Sequence, residues 1–146
     1  MGQTDGTTGD KPVRMVKLTL LADLDYLALA RTSAMHVAAL LYLPLPRVND
    51  LRLAVNEACS SFLLTQQEED VDVAPSAPVE TMELSYDRYP AHLHVTVRAP
   101  APQGWPECDE LGWAVLGSLV GEVRASVRNG IGVLTLIEPL PHPAGS

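Results

Sequence analysis

The sequence predicts an α+β fold, a two-layer sandwich in which one mixed, mostly antiparallel sheet carries helices on one face. Three observations carry this expectation. Strand-like stretches rich in β-formers, or alternating apolar with polar, run over Val13–Leu20, Val79–Tyr86, His92–Arg98 and Ile131–Ile137. Apolar residues recur at spacings of three and four over Leu24–Leu43, Pro46–Leu64 and Asp109–Ala125, the period of a helix with one buried face. The two kinds follow one another as strand, helix, helix, hairpin, helix and terminal strands. That order lacks the strict alternation that builds a parallel sheet.

A chain of 146 residues is long enough to bury a core without disulfides or metals, so one domain is expected over residues 12–140. Residues 1–11, poor in apolar side chains, read as a disordered N-terminal tail, and residues 141–146 as a short C-terminal one. With 47% hydrophobic residues, 19% charged residues and a single Phe, the core is aliphatic. The formal net charge of −8 opposes direct DNA binding and an anionic membrane surface, which both require excess Lys and Arg. A basic protein surface is compatible with it. Every long apolar run is broken by a polar or charged residue, as by Asp23, Asp25, Arg31 and His36, before it could span a bilayer. Cys59 and Cys108 read as small buried hydrophobes of a reducing compartment, so the expected localisation is cytoplasmic.

Taken in order, the first strand alternates Val13, Met15, Lys17 and Thr19 on one side with Arg14, Val16, Leu18 and Leu20 on the other. Asp23 is the N-cap candidate for a helix whose buried stripe is Leu27, Ala30, Ala34, Val37 and Leu41. Pro44-Leu45-Pro46 ends that helix, and Pro46 can occupy the first turn of the next, where its missing N–H has no partner in any case. The second helix buries Val48, Leu51, Val55, Ala58 and Phe62. Gln66–Pro78, acidic and then rich in Ala and Pro, reads as an exposed connection. The hairpin that follows turns through residues 87–91 and points Leu93, Val95 and Val97 inward. Its opposite face carries His92, His94, Thr96 and Arg98, read as a polar sheet surface. The third helix buries Trp113, Leu116, Val120 and Val123. A short strand at Ser126–Arg128 and the Asn129-Gly130 hairpin turn then lead into the closing strand.

The second helix holds the chemical question. Leu53, Glu57 and Ser61 are four apart and lie one above another beside the buried stripe, which places a carboxylate next to a hydroxyl. The string Leu-Arg-Leu-Ala-Val-Asn-Glu-Ala-Cys-Ser-Ser, residues 51–61, resembles the helix of the RsbW/SpoIIAB-type anti-sigma factors and serine-protein kinases, members of the GHKL, or Bergerat-fold, ATPase superfamily. Residues 111–116 are similar to the glycine segment that opens the family's last helix, and residues 130–136 to its final strand. The resemblance spans Val13–Ile137 and implies the same two-layer sandwich.

It implies that Glu57 is the catalytic base and that Ser61 stands where the family has the Asn that helps hold Mg²⁺. Gly104 and Gly112 then remain from the segment that holds the phosphates of ATP. The family's adenine-reading Asp and glycines correspond to Val97–Pro102, which has no Asp and two prolines in their stead. The expected function is therefore an anti-sigma factor whose ATP binding is weakened or lost. Its partners would be an alternative sigma factor, a STAS-type anti-anti-sigma factor and a second copy of the chain. The alternative is an active serine-protein kinase that uses ATP and Mg²⁺ on its antagonist. Arg31, Arg47 and Arg52 on the first two helices are the candidate contacts to an acidic partner.

Overall fold

The computed structural model describes residues 11–69, 80–101 and 110–141. Both expected tails apart from Lys11 and Pro141, most of the acidic connection, Gly104, Cys108 and Asp109 lie outside the described residues. The elements run β1 (Val13–Leu21), a 3-10 turn (Leu24–Tyr26), α1 (Leu27–Leu40), α2 (Leu45–Glu69), β2 (Thr81–Arg88), β3 (His92–Pro100), α3 (Glu110–Leu119), β4 (Glu122–Arg128) and β5 (Ile131–Pro139). The strands form one sheet in the order β1-β2-β3-β5-β4, and every pairing in it is antiparallel. The expected mixed character is absent because β2–β3 and β4–β5 are hairpins, α1 and α2 return the chain to β2 antiparallel beside β1, and β4, which runs in the same sense as β3, is separated from it by β5.

Cross-strand register separates the two faces. Leu84, Val97 and Leu134 follow one another across β2, β3 and β5, as do Tyr86, Val95 and Leu136. All six are buried beneath the helices. The opposite face carries Lys17, Ser85, Thr96, Thr135 and Arg124 in one continuous row. The Ser85 hydroxyl is buried there without a hydrogen-bond partner among the described residues. In β1 the register skips Met15 between Arg14 and Val16. This bulge reverses the expected placement of Arg14, which joins the polar face and binds Asp87 at 2.9 and 3.3 Å.

Asp23 caps the 3-10 turn through Asp25 N–H at 2.9 Å. The first helix is shorter than its apolar period suggests. Leu43 N–H reaches Ala38 O and Tyr42 N–H reaches Ala39 O, with Tyr42 left-handed at φ 57°, so a Schellman motif closes it before Pro44. Ala30, Ala34 and Ala38 are fully buried, and their small side chains let α1 and α2 approach closely. The second helix starts from the Pro44 carbonyl, which accepts from Arg47 and Val48 N–H. It continues to Glu69, past the expected start of the connection. Its buried surface is broader than one stripe, adding Ala54, Cys59 and Leu63 to Leu51, Val55, Ala58 and Phe62. The reason is position: α2 packs against α1, α3, β3 and β5 at once.

The third helix is where the sequence reading needs correction. It ends at Leu119 instead of reaching Ala125, and β4 occupies Glu122–Arg128 in place of a three-residue strand. The apolar spacing that continues to Val123 is ambiguous, since Val123, Ala125 and Val127 also fit a period of two. Gly121 decides the break. A Cβ there would lie 2.8 Å from Pro139 Cδ and 3.1 Å from the Ile137 carbonyl. Only glycine lets the chain pass β5 this closely.

Candidate functional site

The face of α2 beside its buried stripe presents Leu53 and Glu57, both exposed, and Ser61, half-buried. Glu57 makes no ion pair among the described residues. The Ser61 hydroxyl donates to Ala58 O at 2.8 Å, so its proton is committed to the helix backbone. Neighbouring Asn56 accepts from Arg31 Nη1 at 2.8 Å, a contact that ties α1 to α2 one position away from Glu57. Gly112, half-buried, stands near the start of α3, which packs on α2. The fold thus puts Glu57 and Ser61 on one helix face and Gly112 on the adjoining helix. Gly104 lies outside the described residues.

The Cys59 thiol, fully enclosed, is pushed up to about 12 by burial, which leaves it inert as a nucleophile or metal ligand at neutral pH. Behind it, the Tyr86 hydroxyl meets Ser33 Oγ at 2.7 Å, and Ser33 donates onward to Ala30 O. Burial raises the Tyr86 phenol above its ordinary range. These groups hold the core beneath α2 together and offer no open chemistry.

The resemblance implies Mg²⁺ and an adenine site, and the described residues can be set against what each would need. Mg²⁺ takes oxygen ligands in near-octahedral geometry, and waters and substrate phosphates usually supply most of them. The face of α2 offers one carboxylate and a short neutral hydroxyl. After the second hairpin strand, where an adenine pocket would require the chain to bend away, β3 stays in the sheet. Arg98, Ala99 and Pro100 pair with Val133, Gly132 and Ile131, and Ala101 N–H donates to Gly130 O at 2.7 Å.

The opposite end of α2 holds a site that sequence reasoning missed. Arg47 was expected to face a partner. Instead Nε donates to Glu138 Oε2 at 2.8 Å, Nη1 to Asp50 at 3.2 Å, and Nη2 to both Glu138 oxygens at 2.5 Å and to Leu119 O at 3.4 Å. The Glu138 side chain is 2% exposed. Burial pushes its carboxyl above the ordinary carboxylate range while the guanidinium pulls the other way. Hydrogen bonding to Glu138 in turn raises Arg47. One guanidinium therefore links the first turn of α2, the end of α3 and the end of β5. Beside it an open cleft of about 480 Å³ is lined by Leu43, Pro44, Val120, Gly121, Pro139 and Leu140 with the pair itself. The available signal was Glu138, a lone acid closing the apolar run Ile131–Ile137.

With this geometry in hand, similarity to known proteins is informative about the fold. The chain is similar to the crystal structure of the RsbU and RsbW domains of Rv1364c from Mycobacterium tuberculosis, with a TM-score of 0.61 and 19% identity over 92% of this chain. It spans 33% of the length of that structure. No family model matches the sequence, and no curated protein matches it. The likeness shows the fold: a two-layer α+β sandwich of the kind found in that structure. Among the described residues, no helix is long and apolar enough to cross a membrane.

Proposed function

We propose that this protein is an anti-sigma factor that works by protein–protein contact, with ATP chemistry weakened or lost. It holds an alternative RNA polymerase sigma subunit and surrenders it to a STAS-type anti-anti-sigma partner. The observation that carries this reading is the continuation of β3 through Pro100 within an RsbW-like fold. The segment that would bend around adenine is consumed by hydrogen bonds to β5, while the rest of the sandwich is kept. The net charge of −8 favours a protein partner over DNA. Release then follows from competition, because an antagonist that binds an overlapping surface with similar or better affinity displaces the sigma subunit without a covalent step.

The test is isothermal titration with ATP, with and without Mg²⁺, beside native mass spectrometry of the chain mixed with sigma-type and STAS-type proteins from the same genome. This reading expects no ATP heat, a complex with one sigma-type protein, and its dissolution by a STAS-type protein. Micromolar Mg-dependent binding, worth about 8 kcal/mol, would overturn the nucleotide part. The absence of any sigma-type complex would overturn the rest.

A second reading, the serine-protein kinase of the same family, is favoured by the exposure of Glu57 and its lack of an ion pair among the described residues. Transfer of label from ATP to a Ser of the antagonist, abolished in Glu57→Ala, would establish it.

A further inference from the structure

The open face of the sheet, which the helices leave bare, gathers cations that the rest of the chain lacks. The protein has 10 Lys and Arg against 18 Asp and Glu. On this face, however, the strands set Arg14, Lys17, Arg98, Arg124 and Arg128 against Glu83, Asp87 and Glu122. All three acids are engaged. Asp87 holds Arg14 at 2.9 Å, Glu83 holds Lys17 at 3.6 Å, and Glu122 holds Arg124 at 2.6 Å. Arg98 stands across the ladder from Glu83, but neither it nor Arg128 makes an ion pair among the described residues. Both are exposed.

These two arginines bracket an apolar patch. Arg98 pairs with Val133 and Arg128 with Ile131, and Ile131 pairs in turn with Pro100. Ile131 is 41% exposed, with Val133 and Pro100 half-buried beside it. An open cleft of about 340 Å³ is lined here by Thr81, Glu83, Arg98, Pro100 and Ile131. The two arginines are two strands apart and two residues along, which at about 4.8 Å per strand and about 3.4 Å per residue is a diagonal of about 12 Å between their Cα atoms. An extended segment covers that distance in about four residues, and its residues i, i+2 and i+4 point to one side.

We infer that this face docks an extended acidic segment of a partner protein, with the pattern acid-x-apolar-x-acid. One carboxylate meets the Arg98 fork, the other meets Arg128, and the apolar side chain between them covers Ile131. Two free guanidinium groups are fewer than an anionic membrane surface requires. The patch has no exposed aromatic ring on which a nucleic acid base could stack. The open face lies on the far side of the sheet from α2, so the assignment is independent of Glu57, of nucleotide chemistry and of the sigma-type partner.

The experiment is fluorescence anisotropy of the labelled peptide Gly-Glu-Ser-Leu-Ser-Glu-Gly titrated with the full chain. Saturable binding that weakens with added salt is expected, and the same peptide with Lys in place of both Glu should not bind. Arg98→Gln and Arg128→Gln should each weaken binding about fivefold, the upper range for an exposed ion pair. Ile131→Ser should weaken it as well, whereas Arg52→Gln on α2 should leave it unchanged. Thermal unfolding checks that each variant is folded. No binding at millimolar concentration, or binding indifferent to both arginines, would overturn the assignment. Tighter binding of a short oligothymidine through the same arginines would do so too. So would peptide binding that emerges only in Asp70→Asn/Asp72→Asn, because the occupant would then be the chain's own acidic connection.

Discussion

The two ends of the second helix differ in the way a protein treats a charge. At its N-terminal turn Arg47 and Glu138 are drawn into the junction of α2, α3 and β5, and every nitrogen of the guanidinium has an acceptor. Three turns on, Glu57 stands exposed with no ion pair among the described residues. A buried ion pair is costly to leave half made, whereas an exposed carboxylate costs nothing to keep and little to lose. The charge that matters for the fold is therefore the one that sequence reasoning passed over, and Glu57 is free to answer to function alone.

The largest expected effect comes from breaking the buried end. Arg47→Met strands Glu138 in the interior and should remove about 3–5 kcal/mol of stability at neutral pH, measured by urea unfolding. Part of this should return as the pH is lowered, because burial favours the uncharged Glu138 carboxyl. The double variant Arg47→Met/Glu138→Leu should recover most of the loss, since a well-packed apolar pair can replace a buried ionic one. A single variant within 1 kcal/mol of wild type, on the order of an exposed pair, would mean that the junction is held by packing alone.

Next in size is Gly121→Ala in the same junction. The new methyl would meet the rigid Pro139 ring and the Ile137 carbonyl, and overpacking of this kind costs about 1–3 kcal/mol. Unchanged stability would show that β5 yields there and that the close approach is incidental.

At the other end, Glu57→Ala should change stability by no more than about 0.5 kcal/mol. A larger loss would show that Glu57 has a structural partner and would collapse the contrast between the two ends. Stability left intact makes the variant a clean probe of function, with any change in ATP titration or phosphoryl transfer assigned to the site.

The smallest effect is expected from His94, on the open sheet face and away from α2. Partial burial lowers its pKa, aided by Arg124 and His92 and opposed by Asp87 and Glu122, and the Tyr89 ring lies 4.1 Å from it. Unfolded, it titrates near the ordinary 6.5. Between the two values the unfolded chain binds more protons, so the histidine's contribution is complete above 6.5 and is lost as pH falls through it. His94→Gln should flatten the slope of melting temperature between pH 7.5 and 5.5. An unchanged slope would show that His94 titrates alike in both states.

These contrasts also divide what could be read from the chain. The period of two in His92–Arg98 set which residues of β3 face the core, and Leu93, Val95 and Val97 are fully buried. The helical spacing of Leu51, Val55, Ala58 and Phe62 did the same for α2. The end of α3 was not legible, because a spacing shared by Val120 and Val123 fits a helix as well as a helix followed by a strand, and only the approach of Gly121 to Pro139 separates them. Arg14 was misplaced because a bulge adds one residue and reverses the alternation before it. At the candidate site, the helix face that joins Glu57 to Ser61 followed from spacing alone. The commitment of the Ser61 proton to Ala58 O and the retention of Pro100 in the sheet did not.

By itself the sequence determined the class of the fold, the aliphatic core and the identity of the helix that carries Glu57. Local periodicity dictates which side of an element is apolar, and apolar sides must meet. Only the tertiary structure decided which charges are buried, which strands form the edges of the sheet and how far β3 runs. Each of these depends on residues distant in the chain, Arg47 with Glu138, β4 with β5 and Pro100 with Ile131, and no local pattern encodes which distant partner a residue meets.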